Sequence, residues 1–243
     1  MTIADGLRTS PVVGRTHRLI AARYPTVGVF DDLSDDPEER RIAFLLEAAT
    51  GPGVRQAADR LARLSPDEIL GGPSASLVMS AFLYTDERGG RFHDHRLGAW
   101  YAALEVDTAI AETVFHHERR LRSSEAGFPN RIQIRELRAD LVRELVDLRG
   151  LRTDRADLYD PDPDRYAVSQ AFAAALRWPA VTAPRTDGLV YDSVRRAGGQ
   201  NVCLFWPSVV PRPVTAGDRY DYAWDAAGTL TVTRQSDVPT TAP

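Results

Sequence analysis

Lysine does not occur in this chain of 243 residues. All 30 basic residues are therefore arginine. A lysine Schiff base is excluded, and so is a Walker-type phosphate loop, which needs its Lys. Any bound anion must be held by Arg, by backbone N–H groups or by hydroxyls. One cysteine, Cys203, excludes an intramolecular disulfide framework. It lies in "NVCLFW" and reads as a small buried hydrophobe rather than a reactive thiol.

Other absences narrow the function further. No run of about 18 apolar residues occurs, so no transmembrane helix is expected. The start, "MTIADGLRTSPVVGR", lacks the basic and apolar regions of a signal peptide, which makes a cytoplasmic location the expectation. There is no internal repeat, no H-E-x-x-H and no Cys/His spacing of a zinc module, so no metal is expected. No G-x-G-x-x-G follows a strand, and "GPSAS" (72–76) lacks the final Gly of a nucleophile elbow. A net charge of −4 argues against a nucleic-acid-binding face.

The chain is 43% hydrophobic and 26% charged, an ordinary globular composition. Its length suits one domain, or one domain with an insertion. Residues 16–24 read as an early strand. Helical patterns follow at 37–49, 54–64 (with Ala57, Leu61 and Leu64 on one side) and 73–84. Residues 97–103 are β-like, and 105 to about 121 are helical. "RIQIREL" (131–137) and "LVRELVDL" (141–148) read as two short strands, with a helix as the alternative for the second. A helix is predicted over 160–178, then strands at 187–194, 200–206, 220–225 and 229–234. Strands and helices do not alternate regularly. The expected class is therefore α+β, a mixed sheet with flanking helices. The expected organisation is an N-terminal extension (1–15), one main domain (16–235) with a helical insertion near 35–85, and a disordered tail (236–243).

The chemistry concentrates in "GGRFHDHRLGAWYAALEVDTAIAET" (89–113). Two glycines before Arg91 allow close backbone approach to a ligand, and the guanidinium could then fork onto a phosphate. On spacing alone a turn with an exposed Arg is the favoured reading. Trp100 and Tyr101 must point to opposite strand faces, one to core and one free for a planar ligand. In the helix, Val106, Ala109, Ile110, Thr113 and His117 share an arc of about 100°, and Glu112 lies about 60° outside it. Two readings fit Glu112: a solvated carboxylate, or a partly desolvated one beside a cleft. "YDSVRRAGGQNVCLFWP" (191–207) places Ser193 at a strand end beside two Arg. It suits an anionic ligand, or a hairpin with a polar tip.

Together these pieces resemble the RES domain, named for its Arg, Glu and Ser. The matching segments are "HRLIAARYP", "GGRF", "GAWYAAL", "TAIAET", "YAVSQAFAAAL" and "GLVYDSVRRAGGQNVCLFWP", in family order over about residues 16–210. Tyr101 and Glu112 stand at the family's spacing. The resemblance implies a fold similar to ADP-ribosyltransferase toxins. It also implies a bacterial toxin that consumes NAD+ by phosphorolysis or hydrolysis, or that transfers ADP-ribose to a protein. Its implied partners are an Xre-type antitoxin and a second copy of the chain, with inorganic phosphate as co-substrate. By resemblance, Glu112, Arg91, Tyr101 and Ser193 are catalytic. Arg18, Arg91, Tyr101, Ser193, Ser169 and Gln170 bind NAD+. His93, which follows "GRF", is left without a role.

Overall fold

In the computed structural model the described residues are 6–23, 54–179 and 185–235, with positions 36, 38, 39 and 42. The predicted helix at 37–49 and the tail at 236–243 lie almost wholly outside them. Seven strands form one mixed sheet: β1 (Thr9–Ala21), β2 (Trp100–Ala103), β3 (Asn130–Asp147), β4 (Gly188–Asp192), β5 (Gln200–Leu204), β6 (Thr215–Trp224) and β7 (Leu230–Gln235). Among the described residues there are four α-helices: α1 (Val54–Leu61), α2 (Ala75–Leu83), α3 (Val106–Arg122) and α4 (Ala167–Arg177). This is the α+β arrangement that the sequence leads one to expect.

The sheet runs β1-β2-β5-β4-β3-β6-β7, and β1 also pairs with β3. The first five strands thus close into a ring. β1 lies antiparallel to β3 from Thr9↔Val146 to Ala21↔Ile134. That long ladder corrects two expectations. Residues 9–15 belong to β1, so the boundary of an N-terminal extension falls inside a strand. The two short strands expected at 131–137 and 141–148 are one strand. The polar "RAD" between them reads as a break, but its backbone continues the ladder, and Asp140 accepts from Arg15 Nε at 2.9 Å across it.

The helix predicted over 160–178 begins at Ala167. Pro161 and Pro163 disfavour helix before and at their own positions. The chain instead makes a short 3-10 turn, Pro163–Arg165, where the Asp162 carboxylate accepts from Asp164 N. α3 ends on Arg119, Arg120 and Arg122, charges that complement the helix C-terminus.

A main core gathers Val78, Met79 and Phe82 of α2 with Trp100, Leu137, Leu189 and Phe205. Fully burying such side chains stabilises by about 1.5–3 kcal/mol each. Ala57, Leu61 and Leu64 are buried in the same cluster. The helical segment around α1 and α2 is thus built into the core. α2 sits close to the segment leading into β2 because Gly98 has no side chain. A Cβ there would fall 2.2 Å from the Ala81 carbonyl oxygen. A second cluster joins Leu19, Ala103, Ile134, Tyr222 and Trp224 to Ala109 and Leu121 of α3. Between α3 and strands β1, β2 and β5 a cavity opens.

Candidate active site

The cavity has a volume of about 260 Å³, at the small end of ligand pockets. Its lining includes His17, Arg18, Gly90, Arg91, His93, Tyr101, Glu112, His116, Tyr166, Tyr191 and Asn201. Four of the residues predicted from sequence therefore meet here: Arg18, Arg91, Tyr101 and Glu112.

The Gly-Gly-Arg loop is a tight turn in which Gly90 N–H donates to the His93 carbonyl at 2.9 Å. Gly89 has φ +73°, and a Cβ on it would lie 2.2 Å from that same oxygen. Only glycine fits there without strain. The turn sends Arg91 inward to 6% exposure, which overturns the exposed-turn reading favoured by spacing. The reason is tertiary. Arg91 Nη1 donates to the Leu158 and Asp160 carbonyls at 3.0 and 2.8 Å. Nη2 donates to Tyr166 Oη at 3.1 Å, and the guanidinium carbon lies 4.4 Å from the Tyr166 ring centroid. Three of its five N–H donors are used, and Nε–H and one Nη2–H have no acceptor among the described residues.

Trp100 and Tyr101 separate as strand geometry requires: Trp100 is 1% exposed in the core, and Tyr101 lines the cavity. Tyr101 Oη accepts from Phe92 N–H at 2.8 Å and lies 3.0 Å from His93 Nδ1. Burial, with added repulsion from Arg177, pushes the His93 imidazole down to about 3. Burial raises the Tyr101 phenol well above its ordinary value. The phenol therefore keeps its proton and donates it to neutral His93, whose Nε2–H donates to Thr85 Oγ1 at 2.6 Å. His93, left without a role by the sequence, thus fixes the Tyr101 hydroxyl. Arg18 donates from Nη1 to the Tyr101 carbonyl at 3.0 Å and lies over Trp100. Burial lowers its guanidinium to about 10, still charged at neutral pH. Burial pushes the Cys203 thiol up to about 12, in keeping with a non-reactive cysteine.

Glu112 sits on the flank of α3, with Ala109, Thr113 and His116 of the same helix also on the cavity wall. Its Oε1 accepts from Ser193 Oγ at 2.7 Å and from Asn201 Nδ2 at 2.8 Å. Oε2 accepts from no donor among the described residues. Ser193 is 2% exposed and does not line the cavity. Its hydroxyl also accepts from the N–H groups of Arg195 and Arg196 at 3.0 and 3.1 Å. Ser193 therefore stands behind Glu112 and orients it. Ser169 and Gln170 also lie off the wall. Ser169 donates to the Tyr166 carbonyl at 3.0 Å. Gln170 donates to the Arg88 and Gly90 carbonyls at 2.8 and 3.0 Å, bracing the Gly-Gly-Arg turn.

Sequence reasoning missed His17, Tyr166, Tyr191 and Asn201. Tyr191 lines the cavity, and its phenol is raised well above the usual value by burial and then by the Glu112 carboxylate. It makes an edge contact with Phe92 at 4.8 Å between ring centroids. Strand register explains how these residues converge. His17 pairs with Ala103, Ala103 with Asn201, and Asn201 with Tyr191. One row across four strands thus forms part of the cavity floor. A buried polar residue in the middle of a strand, as Asn201 is, was the available signal.

Among the described residues no group of three His, Cys, Asp or Glu could hold a metal ion. None of their helices is long and apolar enough to cross a membrane. Comparison with curated proteins finds no match. Among solved structures, the chain is similar to one from the M. tuberculosis MbcT–MbcA toxin–antitoxin complex. Identity is 14%, the TM-score is 0.41, and the match covers 88% of this chain and 86% of that one. The family model of the RES domain matches residues 66–225, which hold Arg91, Tyr101, Glu112 and Ser193 but not Arg18. The chain belongs to the RES domain family.

Proposed function

We propose that this protein cleaves the nicotinamide–ribose bond of NAD+, acting as a bacterial toxin restrained by an antitoxin. The observation that carries the reading is the state of Glu112. One carboxylate oxygen is held by Ser193 and Asn201, and the other is left for a ligand. Cleavage of this bond passes through an oxocarbenium-like state, as in glycoside chemistry. Nicotinamide departs neutral, so no strong acid is needed. A fixed carboxylate at the ribose stabilises the developing cation without reorganising during the reaction.

The remaining roles follow from what each side chain has left to offer. Arg91 keeps two N–H donors for a phosphate oxygen. Arg18 supplies a second fixed positive charge at the wall. Tyr101, its hydroxyl already bonded, offers its ring to the nicotinamide. Tyr191 has no hydrogen-bond partner among the described residues, so its hydroxyl is free to meet a ribose oxygen beside Glu112. Ser193 acts through Glu112. The cavity suits the nicotinamide riboside half, and the rest of the dinucleotide would extend out of it. No metal has a part in this reading.

Water or inorganic phosphate would complete the reaction. Transfer of ADP-ribose to a protein would use the same residues. Purified protein incubated with labelled NAD+, with and without phosphate and cell lysate, separates the three outcomes. They are ADP-ribose, ADP-ribose phosphate and labelled protein. Absence of all three would refute the reading. The antitoxin partner, of the Xre type, and a homodimer belong to the same proposal. Co-purification with the product of the neighbouring gene and size-exclusion chromatography test them.

A further inference from the structure

His17 on β1 lines the cavity. Its Nδ1 lies 2.5 Å from Oε1 of Glu136 on β3. Glu136 is 0% exposed. Its Oε2 accepts from Arg138 Nη2 at 2.7 Å and from Asp218 N–H at 2.8 Å. Gly217 makes room for this, since a Cβ there would fall 2.3 Å from Oε2. A buried carboxylate is costly unless paired and hydrogen-bonded, and this one has three donors. Burial works against the charge, but the bonds from Arg138, His17 and Asp218 N–H outweigh it and hold the carboxyl below its ordinary value. An ionised carboxylate only accepts, so His17 Nδ1 carries the proton. In the neutral tautomer with Nδ1–H bonded to Glu136, Nε2 is the acceptor nitrogen of this cavity-lining ring.

The other cavity histidines differ. His93 is bonded at both nitrogens, to Tyr101 and Thr85. His116 has no carboxylate partner among the described residues. Of these three, only His17 combines a carboxylate-bound Nδ1 with an Nε2 that has no hydrogen-bond partner among the described residues.

Register sets its distance from Asn201, the residue that holds the Glu112 carboxylate. His17 faces Ala103, and Ala103 faces Asn201, which holds Glu112. The His17 and Asn201 backbones are therefore two strand spacings apart, roughly 9–10 Å. The residue between them is alanine, which leaves the space open. A carboxylate on one side, a base on the other and a gap between is the arrangement by which a water attacks opposite a departing group.

We infer that His17 is the general base of a hydrolytic reaction at this site. The inference rests on the NAD+ cleavage reading. Nε2 takes a proton from the attacking water as its oxygen bonds to C1′ of the nicotinamide ribose. The C1′–nitrogen bond breaks, and its electron pair goes to nicotinamide, which leaves neutral. His17 then releases the proton to solvent. Phosphate arrives with an anionic oxygen and depends less on a base, so His17 favours water over phosphate.

The test follows nicotinamide and ADP-ribose release from NAD+ in phosphate-free buffer and with phosphate added. His17→Gln is expected to lower hydrolytic kcat on the order of 10²-fold, with hydrolysis falling more than phosphorolysis and little change in KM. Imidazole added to His17→Ala should restore hydrolysis, which repair of a merely structural defect would not do. Glu136→Gln should lower hydrolysis while the melting transition stays cooperative. Wild-type hydrolysis in His17→Gln would overturn the inference. So would equal loss of both reactions without imidazole rescue. A wild-type protein that cleaves NAD+ only with phosphate also overturns it, but leaves the cleavage reading standing. No nicotinamide release under either condition refutes the cleavage reading itself.

Discussion

Ser193 Oγ donates to Glu112 Oε1 at 2.7 Å, across 81 positions of sequence. The bond joins the end of β4 to the flank of α3 and fixes the only carboxylate lining the cavity among the described residues. If Ser193 acts only through Glu112, Ser193→Ala should lower kcat for NAD+ cleavage about tenfold, the worth of one hydrogen bond to a charged group. KM should hardly move. In the Glu112→Gln background the same substitution should cost almost nothing further. Full additivity in that double-mutant cycle would show that Ser193 has a separate role.

Arg91 is a fork, not a point charge. It spans two carbonyls and Tyr166 Oη while lying over the Tyr166 ring. Lysine keeps the charge but cannot span these partners or stack in the same way. Arg91→Lys should raise KM for NAD+ and lower the thermal midpoint, a loss of about 2–3 kcal/mol for buried carbonyls left unpaired. An unchanged midpoint in calorimetry would show that the carbonyl clamp carries no stability.

Gly89→Ala tests the turn behind Arg91. Both the positive φ and the 2.2 Å approach of a Cβ to the His93 carbonyl oppose it. The expected cost is about 1–3 kcal/mol of stability, with a higher KM from a displaced Arg91. Denaturant melts and steady-state kinetics read the two effects. A stabilised variant would contradict the turn geometry.

His93 makes stability depend on pH. Burial holds its folded-state value at about 3, against 6.5 for the free side chain. Between those values the unfolded chain binds a proton that the folded one refuses. Stability is therefore lost as pH falls below about 6.5, at up to about 1.4 kcal/mol per pH unit until about pH 3. Urea melts at pH 7, 5.5 and 4.5 should show this slope, and His93→Gln should flatten it by close to one proton. Equal slopes in the two proteins would place His93 outside the buried network.

Much of this site was legible because it is local. Helical angles alone put Glu112 on the flank of α3, and strand alternation alone separated Trp100 from Tyr101. What could not be read depends on contacts distant in sequence. Arg91 looked exposed because its partners, Leu158, Asp160 and Tyr166, lie about 70 positions away. Ser193 was expected at the ligand, but strand pairing puts it behind Glu112. Asn201 and His17 became visible only through register, which places them in one row with Ala103. β3 read as two strands because its polar centre mimics a loop until β1 pairs along it. The fold class was easier, since irregular succession of strands and helices already favoured a mixed α+β arrangement over a doubly wound sheet.

The central claim is that Glu112 stabilises a ribosyl cation derived from NAD+. The most direct measurement is nicotinamide release from NAD+ by the wild-type protein and by Glu112→Gln, at saturating substrate. The account predicts turnover by the wild type and a loss on the order of 10²–10³-fold in the variant, with its fold intact. Turnover by Glu112→Gln close to that of the wild type would contradict it.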